Sequence, residues 1–388
     1  MVAVDLNLVS IIVFYSLIAA FFYIRRKHID VEYKILFLYR TKKFNAVMEK
    51  IANFCPRFWR IYGLAAIPIG FAGMIFILSY LAYALVKIFS MPAAAPSLSL
   101  VVPGVRIPGS PFIPFWYGIL ALFIVIVVHE GAHGIVALAN KLKIKSAGVG
   151  LMAFLPLAFV EPDEKQLEKQ KTSTQLAVFA AGAFTNFITA GVVLLIAMLV
   201  APVVSQAIVP EGTYFETVYA GKPAALAGLQ HGDIITYVDS QNTTYATDLE
   251  SYMLSVKPGQ TITLKTASES FVVNTIPNPK NESRAYMGIE FRQEIDVTPK
   301  LKVKYGSLPF GLYYFLKLLY WIFALNIGIG VINLLPLGPI DGGRMARVAL
   351  NAKIRKHRAM KIFTIISYLS LFLLIANIVM PYITKALA

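Results

Sequence analysis

The chain has 388 residues, 57% of them hydrophobic and 15% charged, a balance that a soluble core of this size cannot enclose, so the class indicated is a membrane protein. The net charge of +15 raises nucleic acid as a partner, but the Lys and Arg residues sit beside apolar runs, where anionic headgroups of the lipid bilayer are nearer, and no nucleic-acid binding is expected. The single cysteine, Cys55, excludes an intramolecular disulfide and is expected to be an inert buried thiol.

In chain order, apolar runs of roughly 20 residues, the length that crosses a hydrocarbon core, fall near 8–23, 61–84, 114–138, 176–204, 318–337 and 362–383. The first follows Asp5 and precedes Arg25, Arg26 and Lys27, the reverse of a secretory signal peptide, and is read as a retained anchor. Lys and Arg collect in the loops after the first span (Lys34, Arg40, Lys42, Lys43, Lys50), after the third (Lys141, Lys143, Lys145) and before the last (Arg344, Arg347, Lys353, Arg355). Because such loops stay cytoplasmic, both termini are expected outside, in a multi-pass protein of the cell membrane.

Residues 91–112, with Pro92, Pro96, Pro103, Pro108 and Pro111, read as an irregular outside loop without chemistry. Residues 146–160, SAGVGLMAFLPLAFV, are too short to cross and are broken by glycine and proline. A hairpin dipping into the membrane fits them, and backbone at that depth must be buried in protein or line a water-filled cavity. Residues 206–300 turn charged, with GDIITYVDSQ and GQTITLKTASESFVV alternating as half-buried strands. They form a soluble domain placed outside, weakly supported there by glycosylation-type triplets at Asn242 and Asn281. The expected fold is therefore a polytopic α-helical membrane protein with about six transmembrane helices, a short membrane-inserted hairpin and an inserted α+β soluble domain.

The third span contains HEGAH. Positions i and i+4 share a helix face, so His129 and His133 present two imidazoles to one metal ion, with Glu130 beside them as a general base on water. Ionisable residues inside an apolar span are costly and point to function. Catalytic zinc takes three protein ligands, and His28, His231 and His357 lie in loops or the soluble domain as ordinary polar residues. The third ligand is then expected to be a carboxylate at membrane depth. The stretch NLLPLGPIDGG, residues 333–343, supplies Asp341: Pro336 and Pro339 break the fifth helix, and two glycines after Asp341 let the chain approach a metal closely.

HEGAH in one span, with N-x-x-P and DGG in a later one, closely resembles the site-2 protease family of intramembrane metalloproteases, over about residues 114–345. The resemblance implies zinc-dependent hydrolysis of peptide bonds within single-span membrane proteins, one Zn²⁺ per chain, with His129, His133 and Asp341 as ligands and Glu130 as base. It also implies that Asn333 hydrogen-bonds substrate or transition state. GAFTN, residues 182–186, stands where the family often has G-P-x-x-N; Ala183 replaces the proline and puts a local kink in doubt, while Asn186 remains an active-site candidate. Residues 219–241, YAGKPAALAGLQHGDIITYVDSQ, resemble the peptide-binding region of PDZ domains, implying capture of peptide termini or a size filter that admits trimmed substrates.

The expected division is 1–113, two N-terminal helices with a basic loop; 114–205, the first part of the catalytic core; 206–300, the PDZ-like extracytoplasmic domain; 301–345, the second part of the core; and 346–388, a basic loop and last helix. Since His129 lies in the later half of an outside-to-inside span, the active site is expected nearer the cytoplasmic face. A metal or proton-coupled transporter using the same His, Glu and Asp is the rival reading, but no pair of similar halves is present and it gives the DGG turn and the inserted domain no role.

Overall fold

A computed structural model describes residues 6–32, 36–90, 98, 101–107, 110–152, 155–279 and 281–387. The chain divides into two compact units, one running to Ala197 and resuming at Lys317, the other covering Met198–Leu316.

The first unit opens with α1 (Leu6–Ile24), the strands β1 (Ile29–Glu32) and β2 (Leu36–Arg40), and α2 (Lys42–Phe54). It continues with α3 (Pro56–Ser90), α4 (Phe115–Ala139), β3 (Ile144–Met152), β4 (Leu155–Pro162), the short α5 (Glu164–Glu168) and α6 (Thr172–Ala207), whose last turns enter the second unit. The 25–60 stretch, expected only as a basic loop, thus holds a β-hairpin and an amphipathic helix. Much of the proline-rich 91–112 stretch, namely 91–97, 99–100 and 108–109, lies outside the described residues, as does the 153–154 tip of the expected hairpin.

The second unit contains β5 (Ile208–Val218), α7 (Pro223–Leu226), β6 (Ile234–Ile235), β7 (Tyr237–Val238), β8 (Gln241–Asn242), α8 (Ala246–Ser255), β9 (Thr261–Lys265), β10 (Ser270–Asn274), β11 (Ile276–Asn278), β12 (Asn281–Tyr286), β13 (Ile289–Val297) and α9 (Pro299–Tyr305). One sheet runs β10-β9-β7-β8, another β13-β5-β6, and β11 pairs with β12. The alternation read in TITLK is realised: Ile262 and Leu264 are fully buried while Thr261 and Lys265 face outward. Phe215, Leu229, Ile235, Val238, Leu249, Val273 and Met287 complete this unit's own core.

The chain returns to the first unit through α10 (Leu308–Ile332) and closes with α11 (Asp341–Lys353) and α12 (Lys356–Leu387). Among the described residues five helices, α3, α4, α6, α10 and α12, are long and apolar enough to cross a membrane. The sixth expected span is α1, apolar but shorter than these over its fully described stretch, Leu8–Ile24. Ile75, Phe76, Leu195, Ile365 and Ile375 project from these helices to the outside, an arrangement that lipid tolerates and water does not.

Against one another the helices pack on small side chains. Ala66, Ala132, Ala137, Ala177, Ala180, Ala181, Ala183 and Ala346 are buried in one cluster, letting α3, α4, α6 and α11 approach closely. Ala183 sits within an uninterrupted α6 and is fully buried. Asn326 is buried and donates to the Ile322 carbonyl at 2.7 Å, and Asn377 donates to Leu81 O at 2.9 Å across α12 and α3.

Residues 146–160 form the expected antiparallel hairpin, but as part of a four-stranded sheet in the order β1-β2-β3-β4. β2 pairs with β3 from Leu36 opposite Met152 to Arg40 opposite Gly148, which leaves β4 as an outer strand lying along α4. Two further expectations are corrected. Cys55 is exposed, because it occupies the non-helical break between α2 and α3. The fifth helix ends at Ile332, ahead of both prolines, and 333–340 form the turn that Pro336 and Pro339 keep non-helical.

Candidate metal centre

Three segments far apart in sequence meet at one point. α4 presents His129 and His133, both buried, and the first residue of α11 presents Asp341. His129 Nε2 and His133 Nε2 are 3.3 Å apart, and Asp341 Oδ2 lies 3.1 Å from the first and 3.2 Å from the second. Among the described residues these three form the group of His, Cys, Asp or Glu side chains whose ligand atoms converge closely enough to hold a metal.

The turn that delivers Asp341 is closed by Gly342 N–H donating to Asn333 O at 2.8 Å. A Cβ on Gly342 would lie 2.2 Å from Leu334 O, and one on Gly343 would lie 2.4 Å from Leu337 O. The two glycines therefore serve a close approach to the backbone of the preceding turn, rather than to the metal as the sequence suggested. Leu334 and Leu335, fully buried, anchor that turn in the core.

Tautomers follow from the partners. His133 Nδ1 lies 2.7 Å from the Val178 carbonyl of α6, which accepts a hydrogen bond from Nδ1–H and so leaves a lone pair on Nε2. His129 Nδ1 faces the amide of Asn186 at 3.1 Å, whose Oδ1 is buried without a partner. Turning the Asn186 amide over puts that oxygen on His129 Nδ1–H and frees the Nε2 lone pair. Asn333 Nδ2 lies 3.4 Å from His129 Nε2, so both asparagines border the cluster.

The donor set suits zinc. Two imidazole lone pairs and a carboxylate oxygen that is buried without a hydrogen-bond donor repel one another unless a cation lies between them. Their spacing of 3.1–3.3 Å approaches the roughly 3.3 Å edge of a tetrahedron built with zinc bonds of about 2.0–2.1 Å. Above them α6 offers Gly182, where a Cβ would fall 2.4 Å from His133 Nε2 and 2.7 Å from His129 Nε2. Any larger residue there would fill the space between the imidazoles and α6. Sequence reasoning passed over Gly182 although it heads GAFTN; its position in that pattern was the available signal.

Glu130 stands apart from the three ligands and accepts the Val160 N–H of β4 at 3.1 Å. The next residue, Glu161, binds Arg40 Nη1 at 2.7 Å and accepts a short hydrogen bond from Ser146 Oγ, while Arg40 Nε binds Asp30 at 2.7 Å. Arg40, read in the sequence as a topological charge, thus ties β1 and β2 to both strands of the 146–160 hairpin. These two carboxylates raise the Arg40 pKa from its ordinary value, the hydrogen bond to Asp30 contributing most. Asp163 caps α5 by accepting from Gln166 N at 3.1 Å. His231 lies in the second unit, bonded to Glu216 O at 2.8 Å, and His28 and His357 are exposed, so no further histidine joins the cluster among the described residues.

Two buried histidines on an apolar helix, joined by a largely buried aspartate at the start of a later helix and with a glutamate next to the first histidine, define a membrane metalloprotease class of site, and the likeness to known proteins agrees. Residues 117–377 match the family model of peptidase family M50, and the chain belongs to that family, the site-2 proteases. It is 28% identical over 307 residues to an uncharacterized protein of Methanocaldococcus jannaschii, covering 78% of this chain and 74% of the other. It is also 25% identical over 238 residues to the zinc metalloprotease RasP of Oceanobacillus iheyensis, covering 50% of this chain and 55% of RasP. The PDZ domains of SdrC-like proteins from Listeria monocytogenes and Listeria innocua are each 26% identical to 21% of this chain, covering 87% and 96% of their own chains, with TM-scores of 0.19.

Proposed function

We propose that this metalloprotease is an intramembrane protease that holds one zinc ion on His129, His133 and Asp341 and hydrolyses peptide bonds within the transmembrane segments of single-span membrane proteins. The observation that carries the reading is the convergence of three ligand atoms within 3.1–3.3 Å of one another, two of them on a helix long and apolar enough to cross a membrane. Bound there, zinc supplies Lewis-acid polarisation of a peptide carbonyl and makes water a nucleophile near neutral pH.

The chain's own residues supply the rest. Glu130 takes a proton from the attacking water and returns it to the leaving amine, a general acid-base role worth about 10²–10⁴ in rate. The Val160 N–H aims its carboxylate from β4. Val178 O and Asn186 fix the two imidazoles as Nδ1–H tautomers, and Asn333, at the rim of the cluster, is placed to hydrogen-bond the substrate backbone. A substrate helix hides its carbonyls in internal bonds and must unwind to be cut. The outer strand β4, along α4, offers backbone groups on which an extended segment pairs beside Glu130.

The second unit is proposed to be PDZ-like and extracytoplasmic, acting on peptide termini or as a size filter that favours substrates already trimmed by an earlier cut. The active site is proposed nearer the cytoplasmic face of the cell membrane, since Lys141, Lys143 and Lys145 follow directly on α4. Regulated release of a cytoplasmic fragment and clearance of membrane stubs are both consistent with this arrangement.

The test compares wild type with Glu130→Gln in detergent, measuring bound zinc and cleavage of a single-span substrate with and without chelator. Equal zinc in both, with cleavage by wild type alone and its loss to chelator, is the expected result. Absence of zinc from both would overturn the reading.

A further inference from the structure

Helix α2 carries three distinct faces. With 3.6 residues per turn, Phe44, Val47, Ile51 and Phe54 fall in a sector about 80° wide, and all four are exposed. A neighbouring sector holds Met48 and Ala52, both buried against the body of the unit. The remainder carries Lys43, Glu49, Lys50 and Asn53, all exposed. A helix packed on one side, apolar on the next and polar on the third has the pattern of one lying in a boundary between oil and water.

The level at which it lies is set by its neighbours. α2 runs into the spanning helix α3 through the break at Cys55, across which Trp59 Nε1 donates to Ile51 O at 3.1 Å. Arg60, in the second turn of α3, donates to Ala139 O at 2.7 Å and so brings the start of α3 level with the end of α4. Both spanning helices leave the apolar layer there. Phe58, Trp59 and Tyr62 cluster at this level, Trp59 packing edge to face against each of the other two, and aromatic residues gather in this way at membrane interfaces. Arg57, Lys141, Lys143 and Lys145 are exposed around it, joining Lys43 and Lys50 in a basic belt.

We propose that α2 is an in-plane interfacial helix whose free face docks on an anionic lipid surface. Phe44, Val47, Ile51 and Phe54 enter the acyl region just below the headgroups, and Lys43, Lys50 and Arg57 meet headgroup phosphates. Charge complementarity and direct continuity with a span favour lipid over a soluble partner. The adjacent buried face bears on α4 at Met48, where a Cβ on Gly134, one residue after His133, would fall 2.3 Å from Met48 Sδ. The lipid surface is thereby joined to the back of the histidine-bearing helix.

Cys55, native, exposed and the chain's single cysteine, provides the reporter. The full chain, labelled there with an environment-sensitive fluorophore, is reconstituted in phosphatidylcholine vesicles with or without phosphatidylglycerol, using lipids brominated near the carbonyls or near the chain ends. The expected result is quenching at least about twofold stronger from the shallow bromines, as for a helix buried about 5–10 Å, and stronger still with phosphatidylglycerol. Lys43→Gln with Lys50→Gln should abolish the phosphatidylglycerol increment and retain the shallow quenching. Quenching by aqueous iodide with none from bromolipid would overturn the proposal in favour of a soluble partner. Stronger quenching from the chain ends, or indifference to phosphatidylglycerol, would overturn it as well.

Discussion

The two units treat the same residue types in opposite ways. In the first, His129, His133 and Asn186 are buried among alanines and leucines, and the Nδ1 atom of each imidazole faces a specific group of α6. In the second, His231, Asp233 and Asp239 lie at turns near water, where hydrogen bonds to nearby backbone serve the fold: Asp233 accepts Gln230 N at 2.8 Å, and Asp239 accepts Thr263 N at 2.7 Å. A polar side chain is informative where burying it is expensive. Near water it is ordinary.

The contrast breaks most readily at Glu130. Glu130→Gln keeps the size and the Val160 contact but removes the base, and cleavage should fall by about 10²–10⁴ with zinc content unchanged, read by single-turnover cleavage alongside metal analysis. If this variant cuts as fast as wild type, the base lies elsewhere. Gly182→Ala should come next. Its methyl would intrude on both imidazoles, and the expected outcome is loss of bound zinc with the helical circular dichroism intact. Retention of a full zinc complement would show that α6 yields at that point.

Arg40→Ala probes the link between the N-terminal strands and the hairpin. Its carboxylate partners are partly exposed, so screening holds the contribution to on the order of 1 kcal/mol, and cleavage should fall by no more than about tenfold. Faster hydrogen exchange in β4, with unchanged zinc, is the accompanying readout, and exchange equal to wild type would remove Arg40 from this role. The smallest effect belongs to the second unit. The hydrogen bond to Lys302 holds Asp296 below the usual carboxylate range, so this pair adds stability only above the ordinary carboxylate pKa and loses it as acid protonates Asp296. Lys302 is exposed and Asp296 partly so, which keeps the effect small. Asp296→Asn should lower thermal unfolding slightly at neutral pH and leave it unchanged in acid, so that its decline with falling pH is flatter than in wild type.

Much of the candidate site was legible because it is written in local spacing. Two histidines one turn apart, with a glutamate between them, need only a helix to share a face, and DGG after a broken helix needs only a turn. The partners of those groups were not legible. Nothing at Val178 marks its carbonyl as the acceptor for His133, since every residue has one. Gly182 has a role only because α6 crosses α4 at that residue. Arg40 was indistinguishable from the other basic residues of its loop until β2 paired with β3 and brought it beside Glu161, 121 positions away.

The amino-acid sequence by itself determined that this is a multi-pass membrane chain, and it singled out HEGAH and DGG as the candidate metal-site motifs, because hydropathy and helical periodicity act over a few residues. Tertiary structure alone decided that Val178 O and Asn186 face the two imidazoles, that the glycines after Asp341 serve a backbone turn, that Cys55 is exposed, and that α2 bears on the histidine-bearing helix with an apolar face left over. Those outcomes depend on which surfaces meet when distant segments pack, and steric fit between segments leaves no periodic trace in either one.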